Sequence, residues 1–131
     1  NENISFDIII NLCASGNLKK SLFYFDSFYD KTYPNLGIVR QFGNHFKMIE
    51  RIILLNKKGL SIEDAINKIK PPIFFKNKPS IALQCSLWSI EKVNKILKML
   101  IKLEIKCKTS VYPEKILISQ FILSASVLAN K

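Results

Sequence analysis

Histidine occurs once in this chain, arginine twice and glycine four times, and these scarcities exclude whole classes of chemistry. Gly16, Gly37, Gly43 and Gly59 are isolated and no GxxxxGK(S/T) stretch is present, which removes the usual phosphate-cradling loop and with it ATP binding or hydrolysis. Few glycines and five prolines also leave little material for the tight turns of a short-strand β architecture. Cys13, Cys85 and Cys107 are odd in number and lack CxxC spacing, so they are expected to be reduced, buried thiols with no metal or redox role. No run reaches the roughly 18 apolar residues of a membrane span. The best candidate, residues 116–129, is interrupted by Ser119, Gln120, Ser124 and Ser126. Residues 1–15 lack a basic region ahead of an apolar core, so no signal peptide is expected and the location expected is the cytoplasm.

What is present suits one helical domain. A chain of 131 residues, 48% of them hydrophobic, can bury about two-thirds of its unfolded surface without disulfides or metals. Beginning at Asn1 and not Met, it reads as a piece excised from a longer protein. Its net charge of +10 is uneven. Residues 1–67 hold eight Lys/Arg against seven Asp/Glu, and residues 68–131 hold twelve Lys against three Glu. A basic half points to an anionic partner. The preference for Lys, Asn and Ile is also what an AT-rich genome produces, so both readings stay open.

Helical periodicity recurs along the chain. Ile4–Ala14 is a first helix stopped by Ser15-Gly16, and Asn17 caps a second carrying Leu18, Leu22, Phe25 and Tyr29. Tyr33-Pro34 breaks the chain, and Asn35 caps a long third helix that ends at Gly59. Ser61 opens a short helix that turns Ile62, Ile66 and Ile69 inward. Pro79 starts another, Ser89 caps a helix from Ile90 to about Cys107, and Pro113 starts the last. The fold class expected is all-α, a compact bundle of about seven helices. Two sub-blocks, about 1–69 and 79–131, are joined by a connector at 70–78.

That connector carries most of the individuality of the chain. It reads KPPIFFKNK, and its paired prolines fit neither a helix interior nor a central strand. Phe74 and Phe75 follow at once and are expected to plug into a core, as is Trp88 beside the Ser89 cap. KPPIFFK at 70–76, Gln84, LWS at 87–89 and EIKCKT at 104–109 together resemble the C-terminal domain of the delta subunit of the bacterial DNA polymerase III clamp loader. Gly16-Asn17-Leu18 and His45-Phe46 agree more loosely, and the resemblance covers nearly the whole chain.

The resemblance implies a collar domain that packs against the gamma/tau and delta-prime subunits. The loader so assembled places the sliding clamp on primer–template DNA in replication. It also implies that clamp opening belongs to an N-terminal part outside this chain, and that the parent assembly is a DNA-directed DNA polymerase holoenzyme. No catalytic, cofactor-binding or metal-binding residue is expected here. His45, between Asn44 and Phe46, has nothing resembling a triad near it in sequence.

Two surfaces are candidates for function. Lys92, Lys95, Lys98, Lys102 and Lys106 fall opposite the apolar stripe of Val93, Ile96, Leu97, Leu100, Leu103 and Cys107. Lys102, Lys106, Lys108, Tyr112 and Lys115 near the end of that helix could neutralise phosphates and stack an unpaired base, while the plainer reading is a solvated helix face. The last helix has more apolar width than one buried face requires, which nominates Ile116, Leu117, Phe121 and Leu128 as a subunit interface. The rival to assembly is a stand-alone basic module binding DNA backbone without sequence preference.

Overall fold

In the computed structural model, which describes residues 2–29 and 35–131 and the side chains of 6–29 and 37–131, glycine closes two helices by the same device. Gly16 has φ 78° and Gly59 φ 116°, the left-handed region that other residues enter at a cost. Each sits in a Schellman motif, in which the glycine's own amide and the one after it turn back onto orphan carbonyls. Gly16 N–H donates to Cys13 O and Asn17 N–H to Leu12 O. Gly59 N–H donates to Asn56 O and Leu60 N–H to Leu55 O. These stops define α1 (Glu2–Ala14) and α3 (Asn35–Lys57).

Starts are set by side-chain caps. Asn17 Oδ1 accepts from Lys20 N at 3.1 Å to begin α2 (Leu18–Phe28), and Ser61 Oγ accepts from Asp64 N at 3.0 Å to begin α4 (Ile62–Asn67). Ser89 Oγ accepts from Lys92 N at 3.2 Å and begins α6 (Ile90–Thr109). Pro79 lies in the first turn of α5 (Lys78–Leu87), and Pro113 immediately precedes α7 (Glu114–Ala129). Among the described residues the chain is all-helical, with seven α-helices and one 3-10 turn at Phe75–Asn77. The break expected at Tyr33-Pro34 and the cap expected of the Asn35 side chain lie outside the described residues.

The two halves of the chain interleave. α6 lies along α3, and α7 packs against α1, α2 and α6. Phe25, Phe42, Phe46, Ile49, Ile96 and Ile118 fill the shared interior. Phe42 meets Phe121 edge-on at 5.0 Å, and Phe46 meets Trp88 edge-on at 4.8 Å, so the second half supplies partners to the first. A thread of small polar groups runs through the same core. Ser126 Oγ lies 3.5 Å from both Cys13 Sγ and Ser21 Oγ, joining α7 to α1 and α2.

The connector departs from expectation. Trp88 is buried as anticipated, but Phe74 and Phe75 are 57% and 66% exposed. The Lys70–Pro71 peptide is cis, and the chain after it runs over the surface into the 3-10 turn. The two rings pack edge-on against each other at 5.0 Å. Burial in this region falls instead to Ile69 and Ile81, on either side of the prolines.

Candidate functional site

The structure separates the basic residues that the sequence places close together. Residues two apart on a helix point about 200° apart, so Lys106 and Lys108 take different sides of α6. Lys102 and Lys106 line a groove between α6 and α7, with Leu103, Leu117 and Phe121 beneath. Lys108 turns the other way and pairs with Glu104 at 3.5 Å, both groups well exposed. Such a pair adds little stability and leaves the lysine available. Lys115 leaves the group altogether: its Nζ sits 2.6 Å from Asp26 Oδ1 on α2 and 5.7 Å from the Tyr29 ring centre. Tyr112 is 66% exposed in the turn between α6 and α7, where its amide donates to Ser110 Oγ at 3.0 Å. Tyr112 thus presents an exposed ring four residues after Lys108, in the turn that follows the lysine-bearing helix.

The apolar candidates on α7 divide in the same way. Ile116 is exposed, Leu128 is half-buried, and Leu117 and Phe121 are buried in the domain's own core. Leu117 and Phe121 serve the domain's own core and show only 7% and 4% of their surface, on the floor of the α6–α7 groove, so they offer a partner far less area than Ile116. The stripe left open is Ile116, Leu123 and Val127, seven and four residues apart and so on one face of the helix. The excess apolar width of this helix was visible in the sequence; which residues carry it depends on where α1, α2 and α6 press.

His45 is half-buried on α3, at the wall of an open pocket of about 720 Å³ that Asp7, Glu50 and Arg51 also line, and its ring is tied to a neighbouring helix. Gln84, fully buried on α5, reaches both α1 and α3. Its Nε2 donates to Asn11 Oδ1 at 2.9 Å and to Ser80 Oγ at 3.2 Å, and lies 3.5 Å from the Asn11 backbone oxygen. Asn11 Nδ2 donates to the Asp7 backbone oxygen at 2.9 Å, which leaves Asn11 Oδ1 to accept from Gln84 Nε2 and turns Gln84 Oε1 toward His45 Nε2 at 2.6 Å. His45 must then carry its proton on Nε2. Burial pushes its pKa below the ordinary 6.5, with the Gln84 hydrogen bond acting weakly the other way. The group against its ring nitrogen is the Gln84 amide, which ties α3 to α5 and, through Asn11, to α1. Sequence reasoning had placed Gln84 only within a family pattern; a lone polar residue between Leu83 and Cys85 was the available signal.

Two of the three thiols are withdrawn into the core, and Cys107 is half-buried. Burial pushes Cys13 up to about 12 and Cys85 up to about 11, and Cys107 is raised by burial and by nearby Glu114. All three are free. Among the described residues no group of three or more His, Cys, Asp or Glu side chains could hold a metal ion, and no helix is long and apolar enough to cross a membrane.

The described residues thus define an all-helical bundle with exposed apolar and basic faces and an open pocket beside His45. The particular family follows from comparison with known proteins. The model of the DNA polymerase III delta subunit, C-terminal domain, matches residues 2–125, and the chain belongs to that family. It is thus a domain of a clamp-loader subunit, a family that acts in DNA replication in contact with other clamp-loader subunits. No curated protein and no solved structure matches it.

Proposed function

We propose that this domain is the collar module of a delta subunit. In this reading α7 packs against the equivalent domains of the gamma/tau and delta-prime subunits, so that the assembled loader can place the sliding clamp on primed DNA in the cytoplasm. The observation that carries the reading is the open stripe of Ile116, Leu123 and Val127 on a domain of this family. Three aliphatic side chains on one exposed helix face are the core of an interface lacking its other half. Contact with the clamp itself is assigned to parts of the subunit outside this chain.

Light scattering on a sizing column tests the proposal. Mixed with the collar-containing fragments of its gamma/tau and delta-prime partners, the domain is expected to form a discrete complex without DNA. Leu123→Asp should abolish that complex and leave the domain folded. Elution of separate components would reject the collar reading.

A second reading rests on exposed Tyr112. With Lys102, Lys106 and Lys108 it offers stacking and charge to a strand end of primer–template DNA within the assembled loader. Lys115, tied to Asp26, contributes less to such a surface than its sequence position suggests. Tyr112→Ala should weaken the loader's primer–template binding; unchanged affinity would remove Tyr112 from the DNA path.

A further inference from the structure

A groove of about 220 Å³ between α3 and α6 belongs to neither the α7 stripe nor the Tyr112 turn. Val39 and Leu100 are buried along its floor, and Leu97 is half-buried beside them. Arg40 and Lys47 stand exposed on the α3 side, both within a helical turn of Gly43. On the α6 side Ile101 is 63% exposed, and Ile105, one turn further on, is 56% exposed. Lys98 and Lys108 share that helix face with the two isoleucines, three residues to either side of them. Glu104 is the acid that lines the groove, and it is already paired with Lys108. The rims are therefore basic and the centre apolar.

Gly43 adds an independent observation. A glycine in a helix interior destabilises it relative to alanine. Among the described residues nothing requires one there: a Cβ built on Gly43 meets nothing within 4 Å. Its missing side chain instead leaves the α3 backbone open to close approach from outside, one of the circumstances in which glycine is the fitting residue.

We propose that the α3–α6 groove docks an acidic amphipathic helix of a partner protein. Small apolar side chains of that helix cover Val39, Gly43 and Leu100, its larger ones meet Ile101 and Ile105, and its flanking Asp and Glu side chains meet Arg40, Lys47 and Lys98. Charge complementarity selects this occupant. A second copy of the chain would bring basic rims against basic rims in a protein of net charge +10. Nucleic acid would satisfy the lysines but set phosphates against two exposed isoleucines. This surface is separate from α7, so it stands or falls apart from the collar reading.

The test is fluorescence anisotropy of the full chain with a labelled helical peptide of about 20 residues, about 30 Å long, bearing an Ala/Leu stripe flanked by Glu. Its Gln-for-Glu counterpart serves as control. The Glu peptide is expected to bind, and the Gln peptide to bind at least about tenfold more weakly, with Lys47→Glu costing a similar factor. Gly43→Leu should block the groove, and Leu123→Asp on α7 should change nothing. Lys47 is exposed, so Lys47→Glu still decides the matter if Gly43→Leu fails to fold. Equal binding of the two peptides, no binding of either, or indifference to Lys47→Glu would overturn the proposal. So would displacement of the peptide by a short DNA duplex whose own binding requires Lys47, or a dimer of the free chain that Lys47→Glu dissolves.

Discussion

The indole N–H of Trp88 donates to the backbone carbonyl of Ala14 at 2.8 Å, across 74 residues of sequence. Ala14 is the last residue of α1, so its carbonyl is one of the orphans that a helix end leaves unsatisfied. The same ring packs edge-on against Phe46 of α3. One side chain at the junction of α5 and α6 thus caps α1 and packs on α3. Trp88→Phe should keep most of the packing and strand the Ala14 carbonyl, at a cost of about 1–3 kcal/mol. Trp88→Ala should cost about 3–5 kcal/mol. Urea denaturation followed by circular dichroism separates the two values.

The connector phenylalanines should behave in the opposite way. Phe74 and Phe75 touch each other at the surface and are mostly exposed. Phe74→Ala and Phe75→Ala are expected to change stability by no more than about 0.5 kcal/mol each. A loss comparable to that of Trp88→Ala would mean that these rings are buried in solution.

Acid should weaken the domain through His45. Its folded-state pKa lies below the ordinary 6.5, so the unfolded chain binds the proton more readily. Stability is fully present above 6.5 and is lost as pH falls from there through the folded-state value. Asp7 acts with the opposite sign, because burial raises its carboxyl above 3.8 and the folded state holds that proton longer. Between neutral pH and the carboxylate range, His45→Gln should flatten the pH dependence of the urea midpoint. An unchanged slope would place its origin elsewhere.

Thiol labelling reports on the same interior. Cys13 and Cys85 are buried with strongly raised pKa values, and Cys107 is half-buried with a smaller barrier to reagent. Ellman's reagent at neutral pH should reach Cys107 first and slowly, and all three thiols only after denaturation. Fast reaction of Cys13 in the native state would contradict the packing of α1 on α7.

Neighbouring leucines on α7 should fail differently. Leu117→Asp places a charge in the core beside Leu103 and Phe121 and should unfold the domain. Leu123→Asp lies on the open face and should leave the thermal midpoint nearly unchanged, whatever it does to assembly. Melting curves of the two variants test which face of α7 is inward.

Helix limits, caps and family were legible in the sequence because they rest on local chemistry: Asn17, Ser61 and Ser89 as caps, Gly16 and Gly59 as stops, and KPPIFFK with LWS as a signature. The stripe on α6 was legible too, since Val93, Ile96, Leu100 and Leu103 follow helical spacing and are buried. Exposure of Phe74 and Phe75, inward rotation of Leu117 and Phe121, and dispersal of Lys106, Lys108 and Lys115 were decided only by the tertiary structure. An apolar residue looks the same in sequence whichever helix covers it, and a lysine looks free until Asp26, 89 residues earlier, is brought to 2.6 Å. Local hydrogen bonding and periodicity belong to a segment; burial and pairing belong to the arrangement of segments.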